Sequence, residues 1–368
     1  MRLRKYFSFI FFFSFLSISA ADTLTVAVVG DIMMGTTYPT EQLPPDTGKH
    51  LFADVRHLLL NADISLGNLE GTLADGGHST KGSGPYSYAF RTPVTFAPRL
   101  TEAGFDYLSM ANNHANDFGQ EGITSTERCL QQQGIAYSGI FGRRHWAVVE
   151  REGIRFGICA FGHNRYTLKH RDLQRVKQIL DTLSTMSDVI IVSFHGGAEG
   201  NQYSHLPEGD ETFIGEDRGN LREFAHFCID NGADLVYGHG PHVTRCVEVY
   251  RGHLIAYSLG NFCTPYGVNL AGVNAYAPVL VATINSQGQL LEAQIHSFIQ
   301  QRGKGPIYDP TNKVARHMKA LTETDVPLSE AKIDSNGHIY NPIFKTIPAP
   351  KQHIKVSSLK ATKIINEQ

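Results

Sequence analysis

The chain reads as an α/β protein, and two features of the sequence carry that reading. Short β-branched apolar runs recur between stretches of helical period, as expected for strands alternating with helices. Five of these runs end on residues able to bind a metal or a proton: Val26–Asp31, Asp63–Glu70, Leu108–His114, Val189–His195 and Leu235–His242. Continuous apolar runs of this length suit strands covered on both faces. Ligands of open α/β sheets bind beyond the carboxyl ends of the strands. Five polar strand ends in succession therefore predict one site built from successive loops.

The elements follow in order. Thr23–Val29 is the first strand. Lys49–Asn61 has helical period, with Leu51, Phe52, Val55, Leu58 and Leu59 on one face. Asp63–Leu66 is the second strand. The glycine-rich stretch Gly76–Gly84, leading into Pro85–Phe90, is too flexible to carry a core and is read as either surface or lid. Pro93–Ala103 is helical, with Gly104 as its stop. Strand Tyr107–Ala111, a loop holding Asn112, Asn113 and His114, and helix Gln120–Gln133 repeat the unit. Trp146–Arg151 and Ile154–Phe161 form a hairpin about Glu152 and Gly153. Helix Asp172–Thr185, strand Val189–Phe194, helix Arg222–Asn231 and strand Asp234–Tyr237 continue the alternation. Beyond His242 the pattern turns antiparallel, with hairpins Cys246–Tyr250/Leu254–Leu259 and Val279–Asn285/Leu290–Phe298. That change predicts a second sheet closing against the first. From Gly303 onward the chain is polar and proline-interrupted, with one helix expected over Thr311–Leu321. The division expected is a leader over 1–21, a domain over 22–300, and a C-terminal extension over 301–368 with a flexible basic tail.

The 368 residues, 42% hydrophobic and 18% charged, suffice for a large domain with a substantial core. Met1–Lys5 is basic, Tyr6–Ile18 is apolar, and Ser19, Ala20 and Ala21 are small, the pattern of a secretory signal peptide cut after Ala20 or Ala21. The apolar run falls short of the roughly 20 residues of a bilayer span, so a retained anchor is the weaker alternative. An exported chain at the periplasm or cell surface is expected. Removing Arg2, Arg4 and Lys5 from 33 basic residues leaves 30 against 35 acidic ones, a formal charge of −5. That balance, with no basic stripe interleaved with aromatics, argues against nucleic acid as a partner. Lys345, Lys351, Lys355, Lys360 and Lys363 read as a solvated tail. Cys129, Cys159, Cys228, Cys246 and Cys263 match neither a zinc motif nor a dense disulfide framework.

Divalent ions take carboxylate, imidazole and amide donors, and Asp31, Glu70, Asn113, His195, His239 and His242 offer all three. Two ions roughly 4 Å apart need a bridging ligand, which a carboxylate supplies best. One or two divalent ions are the cofactors expected; manganese, iron, zinc and magnesium are not distinguished. Six blocks carry a resemblance: Gly30-Asp31-Ile-Met-Met-Gly35, Gly67-Asn-Leu-Glu70, Ala111-Asn-Asn-His-Ala-Asn-Asp-Phe-Gly119, His195-Gly-Gly, Gly238-His-Gly-Pro-His-Val243 and Ser258-Leu-Gly-Asn-Phe262. In content and order they resemble the CapA family, the poly-γ-glutamate capsule-synthesis proteins, an offshoot of the calcineurin-like metallophosphoesterases. The resemblance covers about Leu24 to Phe298.

The resemblance implies a four-layer α/β sandwich, two mixed β-sheets flanked by helices. It implies Asp31 and His242 as ligands of a first metal, Glu70 as the bridge, His195 and His239 as imidazoles of a second, and Asn113 as an amide ligand. His114 matches a non-ligating histidine that protonates a leaving oxygen, and Asp117 stands where it could orient that ring. Met33 replaces the histidine of an Asp-x-His start, so the first metal loses a ligand. The second block reads Gly-Asn-Leu-Glu and the last His-x-x-His, further departures from the metallophosphoesterase pattern.

Other residues take plainer readings. Asn68 reads as a turn residue. His163 is a candidate for the pocket wall, whereas His145, His170, His205 and His226 read as ordinary imidazoles. Arg91, Arg165 and Arg245 read as ordinary salt-bridge partners. The function implied is a metal-dependent hydrolase or transferase acting on poly-γ-glutamate or a related anionic envelope polymer, with metal-bound hydroxide as nucleophile and His114 as acid. The alternative is a non-catalytic polymer-binding accessory of a membrane synthesis or export complex. A true phosphoesterase is the least favoured reading.

Overall fold

A computed structural model describes residues 23–82, 84, 87–342 and 363–366. The leader and most of the basic tail lie outside these residues. Three apolar clusters define the layers. One holds inward-facing residues of two sheets at once, among them Val26, Val28, Leu66, Ile158, Ile191, Leu235, Leu280 and Ile295. The second joins Ala27, Val29 and Leu108 to Leu59, Leu100, Ile123 and Leu130 of the helices outside the first sheet. The third joins Val192, Phe194 and Val236 to Val176, Leu180, Phe224 and Cys228 of the helices outside the second. Alternate residues of each strand thus feed different cores, as the pleat requires. The result is helix–sheet–sheet–helix, the four-layer arrangement expected. Each fully buried Val, Leu, Ile or Phe contributes on the order of 1.5–3 kcal/mol, so the shared inner core is the main cohesive term.

The first sheet runs Lys332–Ile333, His338–Tyr340, Leu290–His296, Val279–Ile284, Leu24–Ile32, Ile64–Leu69, Tyr107–Ser109 and Ala136–Ser138, with Asn261–Cys263 also pairing with Leu24–Ile32. The second runs Val247–Tyr250, His253–Ala256, Leu235–His239, Val189–His195, Ile154–Phe161, Trp146–Arg151 and Lys363–Asn366. The five site-bearing runs are therefore divided between two sheets, three in the first and two in the second. The late hairpins are divided as well. Val247–Ala256 completes the second sheet, whereas Val279–His296 returns to the first and pairs antiparallel with Leu24–Ile32.

Several boundaries shift for local reasons. The helix expected over Lys49–Asn61 is α-helical only over Arg56–Asn61, since Gly48 and the turns around it precede it. Helix Leu173–Ser184 starts where Asp172 accepts a hydrogen bond from the Arg175 N–H, an N-cap contact of the kind that contributes about 1 kcal/mol. Residues 301–342 stay in the fold. Helix Lys313–Asp325 places Val314, Ala315 and Met318 in the inner core, and His338–Tyr340 pairs with Leu290–His296. The five cysteines are buried and none is bridged. Among the described residues no helix is long and apolar enough to cross a membrane.

Candidate metal centre

Strand register brings the site together. Asp31 lies opposite Asn68 on one neighbouring strand and Asn261 on another, while His239 lies opposite His195. The register of Leu24–Ile32 slips between Val28 and Asp31, a local irregularity at the strand end that carries the carboxylate. Gly30 permits the close approach there. A Cβ on it would fall 1.9 Å from the Gly260 carbonyl oxygen, and the Asp31 N–H donates to that same oxygen at 2.9 Å.

Two groups of donors share Asp31: Asp31 with His195 and His239, and Asp31 with Glu70 and His242. The carboxylate common to both is Asp31, where the sequence reading favours Glu70 as the bridge. Glu70 nonetheless faces both sides. Its Oε1 is 3.6 Å from His242 Nε2 and 4.0 Å from His195 Nε2 and from His114 Nε2. Those spacings are too long for hydrogen bonds. They lie near the roughly 3–3.5 Å between donors that surround one ion at about 2.1 Å. Glu70 Oε1, His195 Nε2 and Asn113 Oδ1 are buried and without a hydrogen-bond partner. Buried polar atoms left unpaired cost on the order of 1–3 kcal/mol each. Two of them, Glu70 Oε1 and His195 Nε2, lie 4.0 Å apart and fit a divalent cation, and the mixture of imidazole and carboxylate suits a hard or borderline ion.

Neighbouring side chains fix the donors. Asn68 is not a turn residue; it is fully buried in the strand Ile64–Leu69. Its Nδ2 donates to Asp31 Oδ1 at 2.8 Å, and its Oδ1 accepts from Asn112 Nδ2 at 3.0 Å. His242 holds a left-handed backbone, φ 58°, uncommon for a residue with a side chain. Asn261 clamps it, with Oδ1 3.0 Å from His242 Nδ1 and Nδ2 donating to the His242 carbonyl at 3.1 Å. Since an amide oxygen only accepts, His242 Nδ1 carries the proton and Nε2 is left for an ion. His239 Nε2 meets Ser193 Oγ at 2.9 Å, which turns its Nδ1 toward His195 Nδ1, 2.9 Å away, and toward Asp31 Oδ1, 3.6 Å away.

Charge is divided unevenly. Burial, then His239, holds the His195 imidazole well below its ordinary value, and burial pushes His239 down to about 4. Both rings are thus neutral, as ligands must be. Burial and the adjacent Asp31 raise the Glu70 carboxyl well above the usual range. Burial opposes charge on His242, yet Glu70, Asp31 and Glu199 together hold it well above the usual imidazole value. A divalent cation would relieve this crowding of carboxylates.

His114 stands beside the donors. Its Nδ1 lies 2.9 Å from Asp117 Oδ2, and Phe90 packs on its ring with centroids 4.5 Å apart. The described part of the glycine-rich stretch is pinned over this segment. Thr80 donates from its N–H to the Asp117 carbonyl and from its Oγ1 to that of Asn116, and Lys81 Nζ donates to the Asn113 carbonyl at 2.9 Å. From here a cavity of about 410 Å³, lined by Asn113, His114, Glu199, Arg218, Arg165 and Lys81 among others, meets a second of about 480 Å³. Asn164, Arg165, Tyr166 and Glu216 line both. His163 forms part of the second cavity's wall and stacks on His195, ring centroids 6.0 Å apart. Arg245 is a salt-bridge residue, buried and bidentate to Glu211. Arg91 is not; it donates to Thr37 Oγ1 and the Gly77 carbonyl and lies over the Phe118 ring.

Residues 25–266 match the model of the bacterial capsule synthesis protein family, PGA_cap. The chain belongs to that family. Relatives of this chain include the capsule biosynthesis protein CapA of Bacillus anthracis, 27% identical over 67% of this chain and 61% of that one. The PGA biosynthesis protein CapA of Bacillus subtilis is also 27% identical, over 67% of this chain and 64% of its own length. The alignments thus span a little over three-fifths of these curated relatives. Among solved structures, a 5'-nucleotidase precursor from Thermus thermophilus overlaps with TM-score 0.45 and 12% identity, covering 77% of this chain and 56% of that one. The sequence reading of this family member missed Asn261 and Glu199. Asn261 sits in the quoted Ser258–Phe262 block, and Glu199 lies four residues after His195; both are near enough to a selected motif to have been found.

Proposed function

We propose that this protein is an exported, metal-dependent hydrolase or transferase acting on poly-γ-glutamate or a related anionic envelope polymer. The observation that carries the reading is the pair of unpaired buried donors Glu70 Oε1 and His195 Nε2, 4.0 Å apart beside His242, His239 and Asp31, with His114 standing between Glu70 and an open cleft. A divalent ion held by these residues would supply Lewis acidity and an activated water. Asp117 accepts from Nδ1 of His114, so Nε2 is the atom that carries a proton to a leaving group in the cleft. The cleft wall offers Arg165 and Lys169, exposed cations that suit an anionic chain. The capsule-related names of the relatives support the polymer assignment.

The test is elemental analysis of the purified protein together with release of free amine from poly-γ-glutamate. One or two divalent ions per chain, lost in Glu70→Ala, and hydrolysis abolished by His114→Ala and by chelator are expected. A wild-type protein holding no divalent ion would sink the enzyme reading. A non-catalytic accessory is the second reading, and Met33 favours it. That side chain is buried and its sulfur accepts from the Gly35 N–H at 3.3 Å, so it offers the centre no donor. Polymer binding without hydrolysis, unaffected by chelator and by His114→Ala, would select that alternative.

A further inference from the structure

We infer that Glu199 is an additional ligand of the ion on the Asp31–Glu70–His242 side of the centre, offsetting the donor that Met33 does not supply. The inference rests on the metal reading above. Glu199 Oε2 lies 3.9 Å from His242 Nε2, the ring atom that Glu70 Oε1 approaches to 3.6 Å, while Asp31 Oδ2 lies 3.2 Å from Nδ1 of the same ring. The first spacing, like the second, is too long for a hydrogen bond and close to that of two donors on one ion.

The side chain is held for this task. Its other oxygen, Oε1, accepts from Arg218 Nη1 at 2.7 Å, and Arg218 is itself buried and held by Glu216 as well. The loop that bears Glu199 is fastened on both sides. Gly197 donates to the Arg218 carbonyl, Gly200 to the Pro241 carbonyl, each at 2.9 Å, and Ala198 to Glu211 Oε2 at 2.9 Å. Glu211 is in turn gripped by the buried Arg245. One carboxylate oxygen is therefore immobilised by an arginine while the other is presented to the centre. Fixing a ligand through its outer oxygen is how neighbouring groups set the affinity of a metal site. Glu199 also lines the cleft beside Asn113 and His114, so its ion would be the one nearest a bound substrate.

The experiment is titration of the metal-free full chain with Co²⁺, reading stoichiometry, affinity and the visible ligand-field spectrum, for wild type, Glu199→Gln and Glu199→Ala. The glutamine variant retains an oxygen that can accept from Arg218, so the loop stays in place; thermal melting of the metal-free proteins checks that each variant folds. At least tenfold weaker binding of one class of Co²⁺ and a changed spectrum in both variants are expected, with the tighter class retained if two classes bind. A glutamine variant matching wild type in affinity and spectrum overturns the assignment of Glu199 and leaves the centre standing. A wild type that binds no Co²⁺ overturns the centre itself.

Discussion

His114 Nδ1 and Asp117 Oδ2 lie 2.9 Å apart, both residues buried, and the same Oδ2 accepts the Phe90 N–H at 2.7 Å. The aspartate thereby fixes which ring nitrogen faces the cleft. Asp117→Ala removes that oxygen, and His114 then loses its acceptor at Nδ1. Hydrolysis of the polymer is expected to lose on the order of 10²-fold in kcat with little change in KM or metal content. An unchanged kcat would reduce Asp117 to an anchor for the Phe90 backbone.

Asn68 couples the metal-side carboxylate to the loop after strand Tyr107–Ser109, because it donates to Asp31 and accepts from Asn112. Replacing it by leucine leaves Asp31 Oδ1 without its donor, at a cost of about 1–3 kcal/mol, and costs Asn112 Nδ2 one of its two hydrogen bonds, the one to the Leu69 carbonyl remaining. Urea unfolding in chelator should register that loss. Divalent-ion affinity should fall about 10- to 100-fold, because Asp31 would lose the contact that orients it. If affinity holds while stability drops, Asn68 serves the fold alone.

The strands and most helices were legible because hydrophobic period reports burial, and central strands such as Leu24–Ile32 and Val189–His195 face two cores. Assignment of strands to sheets was not, since Val189–His195 and Leu24–Ile32 carry the same apolar signature although they lie in different sheets. The donors at strand ends were readable from their residue types. Their second neighbours were harder, because Asn68 looks like a turn former, and neither it nor Asn261 shows its role until register sets both opposite Asp31. Glu199 lies within reach of the His195 block in sequence, but only the fold sets it beside His242. Lys313–Asp325 looked like an appendage because only Val314, Ala315, Met318 and a few others on one face show its burial.

Acid should destabilise the protein through His170. The ring is buried and its Nε2 lacks a hydrogen-bond partner; burial, then neighbouring His163 and Arg171, pushes it down to about 3. A base lowered in the fold is neutral there, while the unfolded chain takes up a proton near pH 6.5. Its contribution is therefore intact above about pH 6.5 and is lost, at up to about 1.4 kcal/mol per pH unit, as pH falls toward 3. Urea unfolding at pH 7 and pH 5 checks this. His170→Leu should narrow the difference between the two pH values by about 2 kcal/mol relative to wild type, and an equal difference would place the acid sensitivity elsewhere.

The cations of the cleft are of two kinds. Lys81 is paired with Asp117, Arg218 with Glu199 and Glu216, and Arg171 with Asp210 and Asp217. Arg165 and Lys169 are exposed, line the second cavity, and have no carboxylate partner among the described residues. Paired cations are already neutralised locally, so a polyanion should gain most from these two. Reversing both, as Arg165→Glu with Lys169→Glu, should weaken binding of labelled poly-γ-glutamate about tenfold at low salt, since exposed pairs are each worth about 0.2–1 kcal/mol. The difference should shrink near an ionic strength of about 0.15 M, where charges farther apart than roughly 8 Å are screened. In a hydrolysis assay the same change should raise KM and spare kcat, because neither residue lies at the donor cluster. Equal binding by wild type and the double variant would mean that the polymer does not run along this wall.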